Sequence, residues 1–218
     1  MRAWRDAAVE GVLCWSPRCV LELGVGSGLL LARIAGGVEE YWATDFSSRV
    51  IGRLREQVAG AGLADRVRLR CQAADDLSGL PRGRFDTVVL NSVVQYFPNV
   101  EYLERVLDGV WELLAPGGRI VLGDIRRASS LRVLQTGVQR VRHPDAVPAV
   151  LRSAVEQAVL LEKELVVDPD WFVRWAGRAG GVAVDVRVKD GSAHNELTLH
   201  RYEVVLHKPG TAEPLPLD

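Results

Sequence analysis

Several things are scarce in this chain. Its 218 residues include three cysteines, four histidines and one methionine, Met1. Cys14, Cys19 and Cys71 are odd in number and hold no close pair of metal-ligand type, so neither a disulfide framework nor a structural zinc site is expected. His143, His194, His200 and His207 make no ligand set by spacing, with His200 and His207 read on opposite faces of one strand. Lysine is rare, with only Lys163, Lys189 and Lys208 among the 27 basic residues. Net charge is almost absent: 27 basic against 28 acidic residues leave −1, which gives no electrostatic pull towards nucleic acid or an anionic membrane. No apolar run approaches the ~18 residues of a membrane helix. Met1 to Trp15 is interrupted by Arg2, Arg5, Asp6 and Glu10, so it lacks the apolar core of a signal peptide. The expectation is a cytoplasmic protein with neither nucleic acid nor membrane as partner.

What is present is ordinary globular material, 48% hydrophobic and 25% charged, in a length that suits one domain. Apolar runs alternate with helix-like stretches. Strands are read at Cys19 to Leu23, Glu40 to Thr44, Val67 to Cys71, Phe85 to Leu90 and Arg119 to Leu122. Helices are read from Arg2 to Leu13, from Leu29, from a Ser47 or Ser48 cap to about Ala61, and from an Asn99 cap to Leu114. Strands apolar on both faces and joined by helices make a parallel sheet. The pattern changes after residue 128. Ser129 to Lys163 reads as helices broken near His143-Pro144, and Asp168 to Arg178 as a helix capped by Asp168 with Pro169 in its first turn. Val182 to Val188 and Glu196 to His207 read as an antiparallel hairpin turning at Gly191 and Asn195, and Pro209 to Asp218 as a tail.

The chemistry collects at strand ends. Val20-Leu21-Glu22-Leu23 leads into Gly24-Val25-Gly26-Ser27-Gly28, a loop that lets a ligand approach the backbone at a helix start. Its Gly-x-Gly-x-Gly spacing is tighter than the dinucleotide fingerprint, which disfavours a nicotinamide oxidoreductase. Glu22 lies in an apolar strand and needs a cationic or hydrogen-bonding partner. Asp45 ends the second strand, where a carboxylate can take both hydroxyls of a ribose, and Asp75 and Asp76 follow the third.

The Glu22–Gly28 loop, Asp45, Phe85-Asp86-Thr87-Val88-Val89-Leu90 and Leu114-Ala115-Pro116-Gly117-Gly118 together resemble the class I S-adenosylmethionine-dependent methyltransferases. That resemblance implies a Rossmann-like α/β fold: a seven-stranded, mostly parallel sheet in the order 3-2-1-4-5-7-6 with a helical insertion after the fifth strand. It implies S-adenosyl-L-methionine as cofactor, held by Glu22, Gly24, Gly26, Gly28, Asp45, Phe46, Ala74, Asp75, Asn91 and Ser92. Asn91-Ser92-Val93-Val94-Gln95-Tyr96-Phe97-Pro98, Gly123-Asp124-Ile125-Arg126, Glu164 to Pro169, Asn195-Glu196-Leu197 and Arg201-Tyr202 are similar to segments of the methyltransferase domains embedded in nonribosomal peptide synthetases. This narrower resemblance implies methylation of the amine of an aminoacyl or peptidyl substrate, tethered to a carrier protein, with a synthetase as partner. The accepting atom stays open among nitrogen, oxygen and carbon, with O- or C-methylation of a free or tethered small molecule as the alternative, and an inactive binding domain is the rival of a different class.

Methyl transfer is an in-line displacement that depends on orientation in a dry pocket and needs no metal. Candidates for handling the acceptor are Asn91, Tyr96, Glu164, Asn195 and Glu196, with Asp124 free to face an ammonium or pair with Arg126. The expected domain is 1–208 with 209–218 as tail. Residues 129–167 are its cover over the acceptor, with Val138, Val141, Val147, Val150, Leu151 and Val155 on the inner face.

Overall fold

The structure, a computed structural model, describes residues 2–180, 182–189 and 195–210. The expected turn residue Gly191, His194 and residues 211–218 of the tail lie outside the described residues. One sheet organises the rest, in the order β3-β2-β1-β4-β5-β7-β6. Its strands are β1 (Cys19–Leu23), β2 (Glu40–Asp45), β3 (Val67–Cys71), β4 (Phe85–Asn91), β5 (Leu114–Arg126), β6 (Ala183–Val188) and β7 (Arg201–His207). The first five pair in parallel, and β7 runs antiparallel to both β5 and β6.

All five residues of β1 are buried, because alternate side chains feed two cores. Leu21 and Leu23 join Phe85, Val88 and Leu90 against α4 (Val100–Leu113) and α7 (Pro169–Ala179). Val20, with Val89 and Val121, packs on the other face against α1 (Arg2–Leu13), α2 (Leu31–Ile34) and α3 (Ser48–Gly60). The result is three layers, helix–sheet–helix. Ser47 caps α3 and Asn99 caps α4, the latter through its Oδ1 accepting the Tyr102 amide at 2.9 Å.

Three expectations change. Glu196 to His200 is not strand but a short helix, α8 (Glu196–His200), so His200 and His207 do not share a strand. Asn195 Oδ1 accepts the Leu197 and Thr198 amides while Thr198 Oγ1 accepts the Asn195 N–H, a capping box that outweighs the period-two pattern of Glu196-Leu197-Thr198-Leu199. Asp168 stands at the N-cap position of α7 as expected, but its side chain makes no cap hydrogen bond; its Oδ1 accepts the Ser129 amide at 2.9 Å, which ties the start of the insertion to its end. The insertion folds as α5 (Leu131–Arg142) and α6 (Pro148–Leu160), and Val155, Leu151 and Val138 are at least half-buried. Val141, Val147 and Val150, expected inside, are 83%, 60% and 57% exposed. They lie at the turn between helices that pack mainly on each other.

Glu22 is 3% exposed, and Tyr41 Oη donates to its Oε2 at 2.7 Å. Burial pushes the Glu22 carboxyl up to about 8, against the downward pull of that hydrogen bond and with a small upward contribution from Asp45. The unfolded carboxyl ionises near 4.5. Between these values the unfolded chain releases a proton that the folded chain keeps, so rising pH favours unfolding. Glu22→Gln should therefore gain stability relative to the parent as pH rises from 5 to 9, by on the order of a few kcal/mol. Urea denaturation across that range checks this; a constant difference would show that Glu22 is ionised in the folded protein.

Candidate functional site

The loop after β1 needs glycine for two separate reasons. Gly24, Gly26 and Gly28 have φ of +76°, +52° and +78°, the left-handed region that other residues disfavour. A Cβ on Gly24 would also stand 2.6 Å from Val93 Cγ2. The loop thus lies directly on the segment that follows β4, and the Gly24 and Val25 amides both donate to Thr44 O at 2.9 Å. Asp45 sits beside it, 8% exposed, its Oδ2 accepting the Gly26 amide at 3.0 Å and its Oδ1 the Ser47 amide at 2.9 Å. Two backbone donors hold the carboxylate in place and leave lone pairs on both oxygens for a ligand.

Above these groups opens a cleft of about 660 Å³. Asp45 and Gly24 lie at its floor, Ala74 and Val93 in its walls, and Phe46 and Tyr96 along it, 82% and 71% exposed. Two exposed aromatic rings beside an aliphatic wall suit a flat ring system. Tyr102 also lines the cleft, its hydroxyl donating to Asp75 Oδ1 at 2.7 Å. Asp75 and Glu22 therefore support the cleft without lining it: one holds Tyr102, the other lies under the loop. Asp76 has its Oδ1 on the Ser78 amide, 3.1 Å away.

At the end of β4 the Asn91 side chain rests against Gly123, where any Cβ would collide with its amide. Among the described residues the Asn91 amide has no hydrogen-bond partner. Ser92 and Asp124 follow on adjacent strands, both left-handed, with φ of +56° and +62°. The Ser92 hydroxyl donates to Asp124 Oδ2, and Trp4 Nε1 donates to the same oxygen at 2.6 Å. Lys189 pairs with Asp124 Oδ1 and lies 3.5 Å from Glu203. Asp124 thus faces an ammonium, that of Lys189, and is not paired with Arg126. Sequence reasoning missed Trp4 and Lys189, because the contact joins residues 120 and 65 positions away from Asp124.

Arg126 turns the other way. Its guanidinium donates to Glu164 Oε2 at 2.9 Å and Glu162 Oε2 at 3.0 Å. Arg201 holds Glu196 through both carboxylate oxygens, at 2.9 and 3.3 Å. These four ion-paired residues and Glu162 line a groove of about 620 Å³ beneath α5 and α6, with the buried Gln139 beside them. Glu164 and Glu196 are thereby brought together, while Asn195 is committed to capping α8. The Leu165 amide donates to Gln95 O at 2.9 Å, so the groove adjoins the Tyr96 side of the cleft. Glu162 carried no sequence signal, while Arg126 and Arg201 stood in the segments Gly123-Asp124-Ile125-Arg126 and Arg201-Tyr202 without a role at this groove. Among the described residues no cluster could hold a metal ion, and no helix is long and apolar enough to cross a membrane.

A family model described as a methyltransferase domain matches residues 21–120. The chain is 51% identical over 212 residues to a probable non-canonical nonribosomal peptide synthetase, CymA, of Salinispora arenicola, covering 97% of this chain and 3% of that protein. It is 44% identical over 218 residues to chondramide synthase cmdD of Chondromyces crocatus, covering 99% of this chain and 6% of that protein. The chain therefore spans a small fraction of the length of these relatives. The crystal structure of the N-methyltransferase NodS from Bradyrhizobium japonicum, in complex with S-adenosyl-l-homocysteine, matches at a TM-score of 0.65 and 16% identity, over 95% of this chain and 87% of that one. At that identity the likeness concerns the fold.

The ion pairs under the insertion lead to a stability test. Arg126 is 8% exposed, so Arg126→Gln leaves two carboxylates facing each other under α6. It should cost about 2–4 kcal/mol and speed amide exchange in α5 and α6 ahead of the sheet. Hydrogen exchange by mass spectrometry reads both; uniform acceleration would mean that the pairs do not anchor the insertion.

Proposed function

The chain belongs to the class I S-adenosylmethionine-dependent methyltransferases, in the group like the domains within nonribosomal peptide synthetases, and on that premise we propose that it methylates the amine of an aminoacyl or peptidyl substrate carried by a synthetase carrier protein. Two observations support this reading: 51% identity over nearly the whole chain to a probable synthetase, and a groove of carboxylates beside the cleft.

The cleft fits the cofactor. Asp45, pre-oriented by two amides, takes the ribose hydroxyls. Phe46, Ala74 and Tyr96 flank the adenine, with Tyr102 held in place by Asp75. The glycine loop and the backbone at Asn91 and Ser92 receive the amino-acid portion, and buried Glu22 supports the loop from below. When bound, S-adenosylmethionine supplies a methyl group on a sulfonium, displaced in line by an acceptor electron pair. The protein's part is to align that acceptor and exclude water.

The acceptor enters beneath α5 and α6. Glu164 and Glu196, about 38% and 39% exposed, draw an amine into the groove. Tyr96 stands where groove and cleft adjoin, and the Asn91 side-chain oxygen, free of other partners among the described residues, can orient an N–H. Water takes the proton that a neutral amine must lose. Residues 129–167 act as the cover that selects the substrate.

Two measurements test the reading. Asp45→Ala should weaken S-adenosylmethionine binding in calorimetry by about 1–3 kcal/mol, the scale of lost charge-assisted hydrogen bonds; unchanged affinity would remove Asp45 from the site. Mass spectrometry of aminoacyl carrier proteins, incubated with the domain and the methyl donor, should place the added mass on nitrogen. Mass on oxygen or carbon overturns the amine assignment, and no binding of the donor by folded protein overturns the whole reading.

A further inference from the structure

The Ser92–Asp124 pair has no part in holding ribose, adenine or the acceptor groove, yet it is among the most constrained features of the molecule. Asp124 is 1% exposed. Its carboxylate receives the Ser92 hydroxyl, the Trp4 indole N–H and the Lys189 ammonium, from β4, α1 and the end of β6. The side chain of Lys189 is 6% exposed and is shared with Glu203 of β7. Three elements thus converge on one buried carboxylate of a fourth, β5. Ser92 and Asp124 are also two of three residues other than glycine found at positive φ among the described residues, and they occupy the ends of neighbouring strands. Such strain persists where the surroundings over-determine it, and it clusters at functional sites.

The placement of Ser92 narrows the role. It follows β4 on the edge where the connections of β1 and β4 diverge, the crevice in which open α/β sheets bind ligands. Its neighbour Val93 lines the nucleoside cleft and touches Gly24, whereas Ser92 reaches towards β5. Ser92 is half-buried and Asp124 is 1% exposed, so of this pair only Ser92 is open to the surface beside the crevice. A hydroxyl has one hydrogen and two lone pairs. Here the hydrogen is committed to Asp124 Oδ2, so only the lone pairs remain to face a ligand.

We infer that Ser92 is the acceptor-orienting group: its hydroxyl, locked as a donor to Asp124, accepts a hydrogen bond from the incoming amine and turns the amine's electron pair towards the methyl group. Asp124 is a positioning residue that sets the polarity of Ser92, and Trp4 and Lys189 hold it in that state. The arrangement favours acceptors that carry a hydrogen on the attacking atom. It rests on the methyl-transfer reading above for the ligand in the cleft, and adds a residue to it.

Sinefungin, in which a carbon bearing an ammonium replaces the methylsulfonium, places N–H donors where the methyl group would be. Its affinity, compared with that of S-adenosylhomocysteine, reads Ser92 without any acceptor. Calorimetry on the folded protein should show sinefungin binding more tightly. In Ser92→Gly, which relieves the positive φ, keeps the backbone that receives the amino-acid portion and keeps the melting temperature within a few degrees, that preference should fall about tenfold, whatever affinity both ligands lose in common. Asp124→Asn, whose residue also tolerates positive φ, should do the same, because its amide can donate to Ser92 and turn the hydroxyl hydrogen outwards. An unchanged preference in either variant overturns the inference. So does equal affinity for the two ligands in the parent, or an equal loss for both, which would mean that Ser92 merely holds the cofactor. In a separate arm, the parent is incubated with S-adenosylmethionine and aminoacyl N-acetylcysteamine thioesters. If it methylates no amine while the sinefungin preference still depends on Ser92, the tethered-amine reading fails and the assignment of Ser92 stands.

Discussion

β1 pairs with β2 on one side and with β4 on the other, and the connections that follow β1 and β4 leave for opposite faces of the sheet. That divergence opens the crevice on which the rest of the site depends. It brings the glycine loop onto the segment after β4 closely enough that Gly24 has no room for a side chain beside Val93. Asp45, one strand over, then reaches back to the Gly26 amide, and Asn91, Ser92 and Tyr96 follow from the far lip. Had β4 lain elsewhere in the order, the same residues would decorate unrelated loops.

Charge is handled differently on the two sides of this crevice. On the loop side the carboxylates are few and individually satisfied: Glu22 by Tyr41, Asp45 by two amides. On the side of β5 and the terminal hairpin charges come in networks. Asp124 gathers Trp4, Ser92 and Lys189, while Arg126 turns to Glu162 and Glu164. Asp124 and Arg126 are two residues apart on β5, and the two clusters are served by separate elements. One fastens α1 and the terminal hairpin to the sheet, the other the helical insertion. A chain of nearly zero net charge thus places its most buried ion pairs around β5, where desolvation gives each contact more weight than at the surface.

The insertion shows how local periodicity can mislead. Val138, Leu151 and Val155 turn inwards as their spacing suggests, yet Val141, Val147 and Val150 are exposed. Apolar spacing reports that a helix has a face; it does not report how far the neighbouring body extends. The same limit applies to Glu196 to His200. There an alternating pattern signals a strand, while the capping box of Asn195 and Thr198 satisfies the backbone locally as a helix.

The sequence by itself determined the parallel core, the glycine loop, the Asn99 cap and one at Ser47 or Ser48, and the position of Asp45. Each of these follows from short-range rules: side-chain alternation, allowed φ and hydrogen bonds to nearby amides. Its motifs together also carried the family resemblance and the strand order. Only the tertiary structure decided the partners of the buried charges. Lys189 rather than Arg126 meets Asp124, Trp4 of the first helix reaches the end of the fifth strand, and Glu164 shares Arg126 with Glu162. An ion pair between segments distant in sequence has no period and no fixed spacing. Its members are chosen by which side chains the packed layers leave facing one another, and that choice exists only once the layers have closed.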